Sequence, residues 1–402
     1  MRILILYDKP IRNPIEAGGA TLADLAEFLK YQGNDVYCIS LSKKNGTVTK
    51  NFEEIYTKYG GSSSNMLAIS IVNNVSTKLF NKPILYYNEI LKKIILLDPE
   101  LIISHGLASM SVDFVRFLKF YKKRHRDVKL LGITDDVRQI DEYLKAKTNT
   151  VRDNKKNIGF FYLIRIKLYS LIVKQIAYSM YDTMVKSFDA LLFFTKEDMD
   201  FAVKRYPQIK NKFFVFRRPV KINNDVSKYV IRKHLKTALF VGNCKHMPNV
   251  EAMQNIINIA NKTKEINFVV TGNGCNKSIK ENVEIVGFVK DLESLYLSTD
   301  LFIAPLKSGS GIKMKLLECF KYGIPIIGTH TAFEGYPVKN GVDCIIEDNI
   351  ERYPARISEL ESHKKRKKIS ENSRKIIYHF SYDEAKKAWD RVLNGILDNK
   401  KS

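Results

Sequence analysis

The chain of 402 residues contains few cysteines, and they follow no recognisable pattern. They are odd in number, and no two are spaced as C-x-x-C; the five are Cys38, Cys244, Cys275, Cys319 and Cys344. Zinc sites and disulfide-framed secreted domains repeat cysteines at short, regular spacings. The cysteines therefore indicate neither a zinc site nor a disulfide framework, and we expect a reducing cytosol as the location.

The sequence also lacks a long, uninterrupted apolar run. The first run, from Ile3 to Tyr7, stops at Asp8 and has no small-residue cleavage site, which is typical of a first strand rather than a signal peptide. The longest run, 158–180, contains Arg165, Lys167 and Lys174, charges that are costly at the centre of a bilayer. This segment is either a helix packed between sheet and solvent or a basic amphipathic surface that touches a membrane.

Acidic residues are in deficit: 66 Lys and Arg stand against 43 Asp and Glu, a formal net charge of +23. An excess of positive charge attracts nucleotides, phosphorylated lipids, anionic membranes or nucleic acid. Solvated surface lysines with no functional role would give the same net charge. The basic run 122–129 favours surface attraction unless it is a solvated loop, and the run 364–368 indicates a solvated helix face. The chain contains no nucleic-acid recognition motif, so nucleic acid is an unlikely partner.

Apolar strands alternate with helical periodicity twice along the chain, which predicts two α/β domains. Strands of the first domain, 1–220, are expected at RILILYD, VYCIS, LIISHG, KLLGIT and ALLFFT, with Gly18 and Gly19 in a polar loop. A polar linker, 221–236, precedes a second domain, 236–380. Its strands are expected at ALFVG, INFVVTG, VEIVG, LFIAPL, PIIGT and CIIE, and a helix over 381–398 follows.

The stretch 305–329, PLKSGSGIKMKLLECFKYGIPIIGT, carries the clearest chemical pattern. A strand feeds a loop with Gly309 and Gly311, and a helix is expected to begin near Ile312 or Lys313. Exposed amides and the positive helix end favour an anion at such a place. Lys313 and Lys315 have the charge to neutralise a diphosphate. The alternative is a plain turn with solvent lysines.

The order of motifs in the C-terminal half resembles family 4 glycosyltransferases of the GT-B fold. The similarity covers 236–395 well through GNCKHMPNVEAM, EIVGFVKDLESLYLSTDLFIAPL, the Gly-rich loop and AFEGY, and covers 1–220 more loosely. The resemblance implies an α/β GT-B architecture, in which two Rossmann-like, doubly wound domains face a cleft. It also implies that the last helix, 381–398, packs back on the first domain.

The same resemblance implies which residues bind the donor. Glu318 would accept hydrogen bonds from the ribose, the loop of Gly309, Ser310, Gly311, Ile312 and Lys313 would hold the diphosphate, and Gly242 would allow a close approach. The Gly18 and Gly19 segment would close over the donor phosphates.

Two positions depart from the family pattern. Many members carry two glutamates with seven residues between them, and Ser310 stands where the first would be. Many also carry an Arg and a Lys six residues apart where Asn243 and Asn249 stand here. Lys245, Lys313 or Lys315 is expected to supply the missing charge.

On the N-terminal side, His105 follows the strand LIIS at the carboxyl edge of the expected sheet, where ligands of parallel sheets bind. It is a candidate catalytic residue that would hydrogen-bond the transferred sugar or the acceptor; the alternative is a structural histidine. Asp135 and Asp136 end another strand and would orient an acceptor hydroxyl or cap a helix. Lys313 is the third catalytic candidate, because it would stabilise the departing diphosphate.

These patterns predict a glycosyltransferase that takes a nucleotide sugar, UDP-linked by family resemblance, and a glycan or lipid-linked acceptor. The resemblance implies retention of the anomeric configuration. The resemblance to the GT-B fold requires neither a metal nor another cofactor, so none is expected. The expected location is the cytoplasm, with possible attachment to the inner face of the membrane. The alternatives are a GT-B nucleotide-sugar epimerase, an inactive transferase-like scaffold and a basic nucleic-acid-binding protein.

Overall fold

The computed structural model describes most of the chain and divides it into two compact units. The described residues are 1–7, 17–40, 54–56, 87–105, 112–134, 138, 181–182, 185–222 and 229–398. The first unit comprises Met1–Val137, Phe161–Val220 and Ala385–Ser402, and the second comprises Arg138–Phe160 and Lys221–Glu384. Each unit is built around its own sheet.

The sheet of the first unit has seven strands in the order β3-β2-β1-β4-β5-β6-β7, and every neighbouring pair is parallel. The strands β1, β4 and β6 are almost entirely buried and mostly apolar, as expected where helices cover both faces. The strands are β1 Arg2–Tyr7, β2 Asp35–Ser40, β3 Glu54–Tyr56, β4 Leu101–His105, β5 Lys129–Ile133, β6 Ala190–Phe193 and β7 Phe213–Val215.

The sheet of the second unit also has seven strands, in the order β10-β11-β9-β8-β12-β13-β14. Only the edge pair β10 and β11 is antiparallel. The exposed strand β10 has no apolar pattern and escapes sequence-based prediction. The strands are β8 Thr237–Val241, β9 Asn267–Thr271, β10 Ser278–Lys280, β11 Val283–Gly287, β12 Leu301–Ala304, β13 Ile326–Gly328 and β14 Ile345–Ile346. The two parallel sheets confirm the predicted α/β class.

Helices lie between the strands in chain order. They are α1 Ala17–Tyr31, α2 Tyr87–Leu97, α3 Val112–Arg124, α4 Lys196–Arg205, α5 Met247–Ala260, α6 Leu292–Ser298, α7 Met314–Tyr322, α8 Tyr353–Glu359, α9 His363–Ser373 and α10 Tyr382–Asp398. Short 3-10 turns occupy Pro207–Lys212, Ile350–Arg352 and Arg374–Phe380. Among the described residues, none of these helices is both long enough and apolar enough to cross a membrane. The run 158–180 lies outside the described residues.

The helix α1 corrects the expectation that Gly18 and Gly19 lie in a loop, because both occupy its first turn. Glycine is unfavourable in the middle of a helix but costs less near the end. The buried face of α1, which includes Leu22, Leu25 and Leu29, supplies the packing energy that keeps the two glycines helical.

The helix α9 is solvated along most of its basic run, yet Arg366 is 1% exposed. Its guanidinium donates to the backbone carbonyls of Leu360, Glu361, Arg232 and Lys233. Because those bonds satisfy both terminal nitrogens, the burial of the charge is compensated by hydrogen bonding. Arg366 thereby ties the segment before β8 to α9, and the expectation of a fully solvated face is wrong at this residue.

The helix α10 belongs to the first unit from Ala385 onwards. Trp389 is buried and meets Phe216 edge-on at a ring-centroid distance of 5.9 Å. A Cβ added to Gly395 would lie 2.5 Å from Cζ of Phe214, so glycine lets the helix approach this side chain of β7.

Candidate functional site

The candidate donor site lies at the carboxyl edge of the second sheet, in the loop between β12 and α7. Gly309 and Gly311 have φ values of +118° and +69°, which L-side chains rarely adopt. Lys313 is the residue that precedes the first turn of α7. Leu316, Leu317 and Phe320 bury the inner face of the helix, and Gly323, with φ +75°, ends it. The loop therefore leads into a well-packed helix end.

Helix α5 anchors this loop from the other side. Ser308 Oγ donates to Glu251 Oε2 at 3.0 Å, and Asn255 Nδ2 donates to the carbonyl of Pro305 at 3.0 Å. A Cβ on Gly309 would lie 3.7 Å from Cβ of Pro248, so the tip of the loop approaches the start of α5. Two elements that are far apart in sequence thus fix the same loop.

Lys313 turns back onto its own loop. Its Nζ donates to the carbonyls of Gly309 and Gly311 at 3.1 and 2.8 Å and pairs with Glu334 Oε2 at 3.2 Å. Its side chain is 8% exposed. The sequence proposes Lys313 as a donor-binding and catalytic residue, and the structure places its ammonium on loop carbonyls instead of in open space.

Lys315 reaches from the first turn of α7 to the start of α5. Its Nζ donates to Asn249 Oδ1 at 2.8 Å and lies 4.2 Å from the ring centroid of Phe240, a cation–π contact. Burial, and next the positive charge of Lys313, lower the pKa of Lys315 to about 7. The structure thereby brings a cation to Asn249, one of the two positions at which the family's usual basic residues are absent.

Gly242 lies beside this lysine. A Cβ there would lie 2.9 Å from Cγ of Asn249, and Asn249 Nδ2 donates to the carbonyl of Asn243 at 3.0 Å. The loop after β9 is equally close, because Gly272 has φ +150° and leaves no space for a Cβ beside the Gly242 carbonyl. Gly242, Asn249 and Lys315 therefore form one cluster. Lys245 is exposed and lies outside it, with its stem against Gly274.

Cys244 and Cys275 form a disulfide, which the cysteine pattern of the sequence does not predict. The Cα atoms are 5.1 Å apart and the residues are separated by 31 positions in the sequence. The bond joins the loop after β8 to the loop after β9, next to the cluster around Lys315. Cys38, Cys319 and Cys344 are free and buried. Cysteine usage therefore gives no support to a reducing location.

The other donor-loop candidates also lie at this edge. Ser310 Oγ is buried and has no hydrogen-bond partner among the described residues, at the position where the family's first acid is absent. Ile312 precedes Lys313 and is partly exposed. Glu318 lies one turn into α7 with a side chain 44% exposed, and its carboxylate is 3.7 Å from Nζ of Lys321. That carboxylate is accessible to a ligand.

The first unit brings His105 and Gly18 together at the carboxyl ends of β1 and β4. A Cβ on Gly18 would lie 2.5 Å from the Tyr7 hydroxyl and 3.3 Å from Cε1 of His105. The rings of Tyr7 and His105 meet edge-on at 5.1 Å. The chain leaves β1 towards β2 on one side, while β4 and β5 continue on the other, so this is a topological switch point. Gly19 is buried next to Gly18.

Asp135 and Asp136 lie outside the described residues. Among the residues that the structure does describe, no group of three His, Cys, Asp or Glu side chains is arranged to hold a metal ion.

Sequence reasoning missed several residues of these two sites. Tyr7 reads as an ordinary strand residue, and Glu251 and Asn255 read as helix surface. Only the AFEGY motif indicates Glu334 in the sequence. Arg138 carries no signal, although its guanidinium makes a two-pronged contact with Glu334, at 3.3 and 3.1 Å.

Comparisons with known proteins agree with this geometry. The family described as "Glycosyl transferases group 1" matches residues 235–363. A protein from Klebsiella pneumoniae, "Uncharacterized 44.6 kDa protein in cps region", is 24% identical over 279 residues, which cover 59% of this chain and 69% of that protein. The "O-antigen biosynthesis glycosyltransferase WclY" of Escherichia coli is 27% identical over 99 residues, or 22% of this chain and 28% of that protein.

Two solved structures share the fold over nearly the whole chain. Sucrose-phosphate synthase from Thermosynechococcus elongatus has a TM-score of 0.68 at 9% identity and covers 100% of this chain and 99% of its own. Alr3699/HepE from Anabaena, solved in complex with UDP-glucose, has a TM-score of 0.64 at 12% identity, and the match covers 98% of this chain and 99% of the Anabaena chain.

The chain therefore has the GT-B fold, with two Rossmann-like units. Within the second unit, residues 235–363 match the family of group 1 glycosyl transferases.

Proposed function

We propose that the protein transfers a sugar from a UDP-sugar to a glycan or lipid-linked acceptor during the synthesis of a surface polysaccharide, with retention of the anomeric configuration. The observation that carries the proposal is the Gly-rich loop at the start of α7, with the Lys315 ammonium beside Asn249. The UDP-glucose complex of the Anabaena relative supports the choice of base. The O-antigen and cps descriptions of the two curated relatives support the product class.

The nucleotide lies on the second unit in this proposal. The diphosphate sits against the loop 309–313, where amides and the helix end offer hydrogen bonds and positive potential. In its protonated form Lys315 contributes a positive charge next to it, and Glu318 accepts hydrogen bonds from the ribose hydroxyls. As the glycosidic bond to the diphosphate breaks, these groups stabilise the negative charge of the leaving group.

The acceptor lies on the first unit. His105, packed against Tyr7, accepts or donates one hydrogen bond that orients an acceptor or sugar hydroxyl. Asp135, two residues beyond β5, remains a candidate for the same task. The chemistry proposed here uses neither a metal nor another cofactor, and no covalent nucleophile of the protein.

We place the enzyme in the cytoplasm at the inner face of the membrane. The first unit has exposed apolar and basic residues: Leu96 in α2 is 85% exposed, and Lys123 and Arg124 in the last turn of α3 are exposed. Such a surface binds anionic lipid. We expect co-sedimentation with phosphatidylglycerol vesicles but not with phosphatidylcholine vesicles, and equal recovery from both would contradict the assignment.

Calorimetric titration of UDP, GDP and ADP, and of their common sugar derivatives, tests the donor site. We expect one nucleotide to bind the wild type selectively and to lose at least about tenfold in affinity in Glu318→Ala, because a charge-assisted hydrogen bond is removed. Glu371→Ala, which removes an exposed carboxylate on α9, is the matched control and should bind like the wild type.

Failure of the wild type to bind any of these nucleotides would overturn the proposal and favour a scaffold. Conversion of the donor without an acceptor would identify an epimerase. Once an acceptor is found, NMR of the product reports the anomeric configuration, and an inverted linkage would refute retention.

A further inference from the structure

Three charged side chains, Lys313, Glu334 and Arg138, contact one another in sequence behind the Gly309–Gly311 loop. The Lys313 ammonium contacts two carbonyls of the loop and Glu334. The other side of the Glu334 carboxylate receives the Arg138 guanidinium, and the side chains of both residues are mostly buried. Tyr336, two residues after Glu334, donates its hydroxyl hydrogen to the backbone carbonyl of Lys313 at 3.0 Å. The segment 334–336 therefore holds Lys313 by both its side chain and its backbone.

The direction of the loop carbonyls fixes the direction of the loop amides. The peptide bonds here are trans, so the carbonyl of Gly309 and the amide of Ser310 point in opposite directions, as do those of Gly311 and Ile312. Because Lys313 attracts both carbonyls, both amides face away from its ammonium. Within the described part of the chain, those two amides make no backbone hydrogen bond. Free amides that point to the same side of a loop at the start of a helix can donate hydrogen bonds to an anion.

Glu334 makes this arrangement possible. An ammonium as enclosed as that of Lys313 requires an anionic partner, because burial of an unpaired charge is costly. If a neutral side chain replaced the Glu334 carboxylate, the positive charges of Lys313 and Arg138 would no longer be compensated. Their repulsion would then move the Lys313 ammonium away from the loop.

We propose that Glu334 is a positioning residue for the donor diphosphate: it holds Lys313 against the carbonyls of Gly309 and Gly311, and so presents the amides of Ser310 and Ile312 to the anion. Lys313 then acts by shaping the loop, while Lys315 supplies the charge. This inference rests on the proposed function, since it concerns the same diphosphate site.

A double-mutant cycle on Glu334 and Lys313 tests it, with calorimetry of whichever of UDP, GDP and ADP the wild type binds. We expect Glu334→Gln and Lys313→Met each to raise Kd about tenfold. The double variant should also bind about tenfold more weakly than the wild type, not about a hundredfold, because both changes remove the same Lys313–Glu334 interaction. If Lys313 instead bound the phosphates directly, Glu334→Gln would free it, and Kd would stay unchanged or fall; that result would overturn the inference, as would additive losses.

Asp300→Asn is the matched control. Asp300 is a buried carboxylate of the same unit that pairs with Arg232 at 2.8 Å, but it precedes β12 at the opposite, amino edge of the sheet. It should lower the thermal midpoint without changing Kd. If Glu334→Gln does not fold, as judged by near-ultraviolet circular dichroism, Glu334→Asp is measured instead: a Kd above that of the wild type is expected, and a wild-type Kd overturns the inference. No binding by the wild type would overturn the proposed function itself.

Discussion

Replacing Lys315 by methionine is expected to raise Kd for the nucleotide sugar about thirtyfold at pH 6, the equivalent of about 2 kcal/mol for one charge-assisted hydrogen bond. The side chain is similar in length and keeps its contact with Phe240, so the loss reports the charge. The ammonium already has Asn249 as a neutral partner at 2.8 Å, and no carboxylate among the described residues pairs with it, which leaves its charge available to an anion.

The wild type should also bind more weakly as the pH rises. With a pKa near 7, the fraction of Lys315 that is charged falls from about nine-tenths at pH 6 to about one-tenth at pH 8. A diphosphate binds the charged form, so Kd should rise roughly tenfold over this range. A nucleotide sugar is the right probe because its esterified diphosphate does not titrate there.

Calorimetry at pH 6, 7 and 8 measures both effects. Lys315→Met should bind weakly and equally at all three values, whereas Lys236→Met, which removes an exposed lysine before β8, should behave as the wild type does. A variant at Lys315 that keeps the wild-type pH dependence would show that another group titrates.

Replacing Gly272 by alanine is expected to lower the free energy of unfolding by more than about 3 kcal/mol. Its φ of +150° is a region nearly exclusive to glycine, which costs about 1 to 3 kcal/mol for another residue. The added Cβ would also overlap the Gly242 carbonyl and lie 2.6 Å from its carbon atom. The loops after β8 and β9 would have to separate, and nucleotide binding should be lost with them.

Chemical denaturation followed by circular dichroism measures this change. Gly341→Ala is the control, since Gly341 also has positive φ, +75°, but has nothing within 4 Å of an added Cβ. It should cost only about 1 to 2 kcal/mol. If the two variants were equally stable, the close approach of the two loops would not matter energetically.

The alternation of apolar runs and helical periodicity predicts both parallel sheets, because buried parallel strands need apolar residues on both faces. It also predicts a helix near Lys313 and a strand ending at His105. It does not predict that Gly18 meets His105, since that contact depends on the pairing of β1 with β4. Likewise, Cys244 and Cys275 carry no spacing signal; they meet because β8 and β9 are neighbours in the sheet.

The direction of a side chain is the other property that the sequence does not reveal. Lys313 and Lys315 look equivalent as cations near a helix start. The non-helical backbone of Lys313, with φ −88° and ψ 89°, accompanies a side chain that returns to its own loop. Lys315, within the first helical turn, extends to Asn249 instead. Within one motif, Lys313 therefore holds the loop in place and Lys315 supplies a positive charge.

Amide hydrogen exchange, measured with and without the nucleotide that binds, tests the central claim most directly. The free loop amides of Ser310 and Ile312 should exchange fast in the empty protein and become protected on binding, together with the first turn of α7. Protection over 308–318, with little change in α9, is the predicted result. Binding that protects only segments outside the second unit would contradict the claim that the Gly-rich loop holds the donor.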